Sequence, residues 1–223
     1  MIADSMDPVK QRTKNGFSGL NVNDLKAVFR NNADPGAPAP GPYKPTCVFL
    51  LLYNLAEPHN LAIQKTDTEG YPWRNQVALP GGHLEKDDAS PLEGAFRELE
   101  EETRINRAQV ELIGSLGHYQ TINGRDIEAF IGVWDGTGPV RCDPSEIARI
   151  LNIPLRVLVE THHSGNFHHR IPSIDELRYP FEDVVIWGAT ARILHHLIEL
   201  LHPFFGSIPA DKAYDAGDNH ATA

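Results

Sequence analysis

Glu98, Glu101 and Glu102 crowd one short stretch of the chain, directly after Arg97, within residues 79–105 (LPGGHLEKDDASPLEGAFRELEEETRI). Ser90-Pro91-Leu92-Glu93 has the form of a capping box, which predicts that a helix begins at Ser90. At 100° per residue Leu92, Ala95, Phe96 and Leu99 make its buried face. Arg97, Glu98, Glu101 and Glu102 fall on the adjoining face. Glu98 and Glu102 are then a like-charge pair one turn apart, and each such pair costs a helix roughly 0.2–0.5 kcal/mol. The crowding makes sense if a positive charge sits among the oxygens. Hard oxygen ligands without Cys or His suit Mg²⁺, or alternatively Mn²⁺. Upstream, Gly81 and Gly82 permit a sharp loop and a close backbone approach to a ligand. A solvated acidic helix face is the plain alternative, and the glycine pair at a fixed distance argues against it.

Several elements must position this segment. Residues 46–54 are nearly all apolar and predict a buried strand, followed by a second over 61–66. Residues 109–117 and 127–134 predict two more, joined around the Asn123-Gly124 turn. Residues 187–201 predict a long helix with Trp187, Thr190, Ala191, Leu194, Ile198 and Leu201 on one face, stopped by Pro203. A shorter helix is expected over 21–29. Another is expected over 143–151, with Asp143 as N-cap, Pro144 as first residue and Glu146 as third. Pro35, Pro38, Pro40, Pro42 and Pro45 make residues 34–45 an extended linker. The expected organisation is therefore an N-terminal tail, short helix and linker over 1–45, a globular domain over 46–202, and a disordered tail over 203–223. Alternating strands and helices point to an α/β or α+β sandwich.

Composition narrows the partners. The 223 residues carry 30 Asp+Glu against 20 Lys+Arg, a net charge of −10, which argues against a broad nucleic-acid-binding face. Cys47 and Cys142 are the only cysteines, too few for a disulfide framework or a thiolate metal site. The longest apolar run, 47–53, is far short of the ~20 residues that span a bilayer. Residues 1–19 are polar and lack a signal-peptide core. The expectation is a cytoplasmic protein without a membrane or nucleic-acid partner, with a homodimer left open.

The 79–105 segment resembles the Nudix box, a glycine loop followed by a helix bearing Arg-Glu-x-x-Glu-Glu. The signature positions here are Pro80, Gly82, Arg97, Glu98, Glu101 and Glu102. The gap from Gly82 to Arg97 is one residue longer than the common pattern, and Asp88-Ala89-Ser90 fills it. That spacing is similar to the coenzyme A diphosphatase subgroup. So are Glu146-Ile147 with Ile153-Pro154-Leu155, residues 124–132 and residues 186–194, so the resemblance covers roughly residues 46–201.

The resemblance implies a Nudix-type α/β/α sandwich with a mixed central sheet. It also implies a Mg²⁺-dependent pyrophosphatase acting on a nucleoside diphosphate linked to another moiety. Coenzyme A or a derivative is the first expected substrate, and ADP-ribose or another nucleotide sugar the second. A catalytically silent, nucleotide-sensing module of the same fold is the alternative of another class. By the same resemblance Glu98, Glu101, Glu102 and the Gly82 carbonyl are metal ligands, and Arg97 positions the glutamates. The base is a box glutamate, Glu146 or Glu128.

The subgroup's upstream arginines align with Thr66 and Tyr71, its glycine with Asn75 and its phenylalanine with Leu79. Lys65 and Arg74 are therefore the expected substitutes as phosphate partners. Trp73 is the candidate for stacking on a nucleobase, and Arg125 for reaching a phosphate. The box's terminal glycine is Arg104, where a left-handed backbone would cost about 1 kcal/mol, so the helix is expected to end differently. His162/His163 and His168/His169 read as a polar loop, since no cysteine or ordered spacing completes a ligand set. His195/His196 read as a helix surface edge.

Overall fold

The computed structural model describes residues 20–32, 39–70 and 73–205. Apart from Leu20, the expected N-terminal tail over 1–20 lies outside the described residues, as does the chain beyond 205. The elements run α1 (Val22–Asn32), β1 (Lys44–Tyr53), β2 (His59–Lys65), β3 (Val77–Ala78), β4 (Gly81–His83), α2 (Pro91–Thr103), β5 (Val110–Gln120), β6 (Arg125–Trp134), β7 (Ile147–Pro154), α3 (Leu155–Ser164), β8 (Tyr179–Phe181), β9 (Val184–Ile186) and α4 (Gly188–Leu201). The central sheet has the order β3-β2-β1-β6-β5, with β4 on β1 and β7 on β2. Its β1–β6 pair is parallel and the other pairs are antiparallel.

The apolar run of β1 explains the layering. Side chains alternate across a strand, and a strand buried on both faces needs no polar residue. Val48, Leu50 and Leu52 enter one core, with side chains from α1, α3 and α4. Cys47, Phe49 and Leu51 enter the other, beneath Ala95, Phe96 and Leu99 of α2. The result is an α+β fold, a mixed sheet with helices on both faces, as the resemblance implies. The face expected for α2 is the one it buries.

Four expectations need correction. Residues 143–151 do not form a helix. The Asp143 carboxylate accepts from the Ser145 N–H at 2.8 Å, and its carbonyl accepts from the Ile147 N–H at 2.9 Å, but the chain then enters β7. Ile147, Ile150 and Leu151 suit either period. The open edge of β2 decides, pairing from His59↔Pro154 to Lys65↔Ile147. Second, α1 is no appendage, because Leu25 is fully buried and Leu20 and Phe29 nearly so within the main core. Third, the folded chain continues past 202 through a 3-10 turn to Phe205, which is buried. Fourth, His195 is buried, whereas Trp187 stands half-exposed at the start of α4. The helix α3 has no counterpart in the sequence reading.

α2 ends with Arg104 in the left-handed conformation, at φ 61° and ψ 17°, its N–H donating to the Glu100 carbonyl. Glycine adopts this backbone without the Cβ clash. Arg104→Gly should therefore raise unfolding free energy by about 1 kcal/mol, read as a higher midpoint in urea. An unchanged or lower midpoint would show that the Arg104 side chain compensates.

Candidate active site

The site is assembled where β4 hands the chain to α2. β4 pairs antiparallel with β1, placing Gly82 opposite Cys47. Gly81 has φ +155°, and a Cβ there would lie 2.2 Å from the Cys47 carbonyl oxygen. A Cβ on Gly82 would lie 2.2 Å from Glu98 Oε1. The two glycines thus act at once on fold and site: the first lets the strand pair, and the second leaves room for a carboxylate against the backbone. Ser90 caps the helix, its Oγ accepting from the Glu93 N–H at 3.3 Å.

Arg97 organises the carboxylates. Its Nε and Nη2 donate to the two oxygens of Asp88, each at 3.1 Å. Nη1 donates to Glu98 and to Glu101, both at 3.1 Å, and Nη2 also donates to the His83 carbonyl. Asp88 is the residue that fills the longer spacing. Its partnership with Arg97 was not visible in the sequence, because nothing in a spacing tells which acid closes a guanidinium fork.

Glu102 is buried and Glu98 half-buried, their side chains 7% and 17% exposed, whereas Glu101 is 57% exposed. Burial raises the Glu98 pKa; Arg97 opposes the shift, and Glu102 and Glu101 add to it. Burial likewise raises Glu102, against the pull of Lys65 and the Gly81 N–H, with Glu146 adding to the rise. Glu102 accepts from Lys65 Nζ at 2.5 Å and from the Gly81 N–H at 2.8 Å. The Cys47 thiol contacts the Gly82 carbonyl and is pushed up to about 12 by burial, with Glu98 contributing. It is therefore no nucleophile at neutral pH.

The other expected site residues divide. Lys65 was expected to face a substrate phosphate; the structure places it on Glu102 instead, where it offsets a buried charge. Arg74 pairs with Asp67 at 3.2 Å on the surface. Trp73 and Arg125 come together, with the guanidinium 4.9 Å from the indole centroid. Arg125 also contacts the His83 ring, whose pKa is lowered by burial, Arg125 and Lys44. The His83 carbonyl is itself bonded to Arg97, so this cationic, aromatic rim is continuous with the carboxylate cluster. Glu146 sits on the turn before β7, its carbonyl accepting from the Thr66 N–H, close enough for its charge to act on Glu102. Glu128 lies in register with Cys47, two residues before Phe130, and so faces the α2 side of the sheet.

The donor chemistry fits a hard divalent cation. Two largely desolvated carboxylates whose charged forms the protein disfavours lie against the Gly81-Gly82 backbone, with no thiolate or imidazole bonded to them.

A model of the NUDIX domain matches residues 44–171, more than half of the chain. The chain is 32% identical over 128 residues to an uncharacterized Nudix hydrolase, NudL, of Yersinia pestis, covering 56% of this chain and 63% of that protein. It thus spans less than two thirds of the curated relatives it matches. Among solved structures it is similar to a C. elegans Ap4A hydrolase (TM-score 0.44, 15% identity, 55% of this chain, 89% of that one). It is also similar to the NUDIX domain of Shewanella oneidensis NrtR complexed with ADP ribose (TM-score 0.44, 17% identity, 60% and 86%).

Proposed function

Because the chain belongs to the Nudix family, we propose that it is a divalent-cation-dependent hydrolase cleaving the diphosphate of a nucleoside diphosphate linked to another moiety. The observation that carries this reading is the pair Glu98 and Glu102, drawn out of solvent, with the Glu102 charge disfavouring that of Glu98, and held by Arg97 and Lys65 around the Gly82 cradle. A silent nucleotide-binding module would have no use for such a pair. Mg²⁺, or Mn²⁺, is the cation that Glu98, Glu102 and the Gly82 carbonyl would hold, with Glu101 assisting from the exposed edge. When bound, that cation neutralises phosphate oxygens and acidifies water.

The chain's own residues do the rest. Arg97 orients Glu98 and Glu101, and Lys65 keeps Glu102 in place. Arg125 lies on the rim where a phosphate would pass, and Trp73 offers a face to a base. A carboxylate must take the proton from the attacking water. Glu146, exposed and adjacent to Glu102, suits this role, and Glu128 on the same side of the sheet is the second candidate.

Coenzyme A or a derivative is the first substrate on the strength of the Asp88 spacing and the 124–132 and 186–194 stretches. ADP-ribose or another nucleotide sugar is the second, favoured by the Trp73–Arg125 pair, which suits an adenine beside a phosphate. Incubation with Mg²⁺ and, separately, coenzyme A, ADP-ribose, nucleotide sugars and dinucleotides, followed by product separation, tests the reading. Cleavage of coenzyme A to 4′-phosphopantetheine and 3′,5′-ADP is the expected result. Cleavage of ADP-ribose alone would select the second substrate, and absence of cleavage in every arm would leave the binding module.

A further inference from the structure

We propose that Glu199 and the histidines packed around it form a second metal site, for a transition-metal ion such as Zn²⁺, separate from the α2 carboxylates. Glu199 lies on α4, whose neighbours fill the core on the opposite face of the sheet from α2. Its Oε1 accepts from His162 Nε2 at 2.7 Å and contacts His168 Nδ1 at 2.9 Å. Its Oε2 accepts from the His169 N–H at 3.1 Å, and His169 Nδ1 is 4.0 Å away. The donor atoms of His168, His169 and Glu199 all lie within 4.8 Å of one another, as do those of His162, His195 and Glu199. His202 stacks on the His168 ring at 3.5 Å, and His163 lies 5.6 Å from His202.

The loop that carries these rings is tied down. Asn166 and His169 both have positive φ, at 52° and 60°, a backbone that non-glycine residues adopt at a cost of about 1 kcal/mol or more. Phe167 is anchored in the core, and Arg170 Nε donates to the Asn166 carbonyl at 2.8 Å. The loop thus holds the His168 ring and the His169 N–H against the Glu199 carboxylate.

Metal binding requires neutral imidazole and ionised carboxylate, so an ion entering this cluster would displace a proton from any of these groups that carries one. Hydrogen bonds account for His162, His168 and His195, the last through the Phe167 carbonyl at 3.3 Å; they do not account for the side chains of His169 and His202 gathered at the same place.

The outer set His168 Nδ1, His169 Nδ1 and Glu199 is the committed ligand set. His168 Nδ1 and Glu199 Oε1 are 2.9 Å apart as a hydrogen-bonded pair and would separate to the roughly 3.4 Å edge of a tetrahedral site with bonds of about 2.1 Å. His162, whose Nδ1 lies 3.0 Å from the Tyr179 hydroxyl, orients Glu199 from behind. Imidazole with carboxylate selects Zn²⁺, Ni²⁺ or Cu²⁺ over Mg²⁺.

The test is calorimetric titration of the untagged full chain with Zn²⁺ in excess Mg²⁺, which keeps the α2 carboxylates occupied. One equivalent should bind to the wild type and equally to Glu98→Gln. His169→Ala, at a side chain 82% exposed, should weaken binding about tenfold or more without changing the metal-free unfolding temperature, and His168→Ala/His169→Ala should abolish it. Zn²⁺ binding by the double variant with wild-type affinity, or none by the wild type, would overturn the proposal. Since Glu98→Gln is silent here, the result is independent of the diphosphatase reading.

Discussion

Glu98→Gln and Glu102→Gln should each lower Mg²⁺-dependent turnover on the order of 10²–10³-fold, the loss expected when a preorganised charge at the reacting phosphate is removed. Folding should survive, but unequally. Glu98 ionises against burial and the neighbouring Glu102 and Glu101, so neutralising it relieves repulsion and should leave the unfolding temperature unchanged or slightly higher. Glu102 likewise ionises against burial, but Lys65 and the Gly81 N–H offset part of that cost, so neutralising it should raise the unfolding temperature by less.

The pH dependence has a definite sign. Both carboxyls have folded pKa values above their unfolded ones, so they favour the fold when protonated. That contribution is complete below the unfolded pKa and is lost as pH rises through the folded value. A bound cation favours the ionised forms, so Mg²⁺ should raise the unfolding temperature more at alkaline than at acidic pH, in the wild type and less so in either variant. Near-normal turnover in both variants would remove the catalytic assignment of these two glutamates.

Arg97→Ala should cost about 1.5–3 kcal/mol of stability, the range for losing hydrogen bonds to a charged group, since Arg97 is itself 23% exposed. The reason is Asp88, 6% exposed, which would lose a two-pronged partner while remaining among acids. Arg97→Lys should recover only part of this, since an ammonium cannot make the parallel pair of bonds. Turnover should fall in both variants, because Glu98 and Glu101 lose the donor that orients them. Asp88 carries the opposite pH sign to the glutamates. Hydrogen bonds from Arg97 and the Glu85 N–H hold its pKa down, so its stabilisation is present above the unfolded pKa and lost as pH falls through the folded one. Urea unfolding of Arg97→Ala, Asp88→Ala and the double variant tests this. A double variant as unstable as the sum of the singles would mean the two residues do not act through each other.

Local signals made α2 and β1 legible. Ser90-Pro91 with Glu93 three positions after the cap, and an apolar stripe at helical spacing, need no distant partner to specify a helix. The unbroken apolar run of β1 could only be buried on both faces. β7 was not legible, because Ile147, Ile150 and Leu151 satisfy a helical period as well as a strand, and the free edge of β2 lies more than 80 residues earlier in the chain. The position of α1 was equally hidden: its leucine and phenylalanine mark one apolar side, but nothing local says that α4 and β5 will cover it. Lys65 was read as a phosphate partner because a cation beside a substrate motif suggests one, whereas a buried Glu102 nearby claimed it first.

By itself the sequence determined the identity and order of the chemical groups: two glycines, then an arginine and three glutamates on one helical face, in a spacing that names a family. Helix periodicity and capping act within a few residues, so this much is written locally. Only the tertiary structure decided which groups partner one another. Asp88 closes on Arg97, Lys65 on Glu102, Arg125 on Trp73, and Glu199 gathers histidines from α3, the following loop and α4. Those choices depend on burial and on distances of a few ångströms, which the sheet order sets and no spacing along the chain encodes.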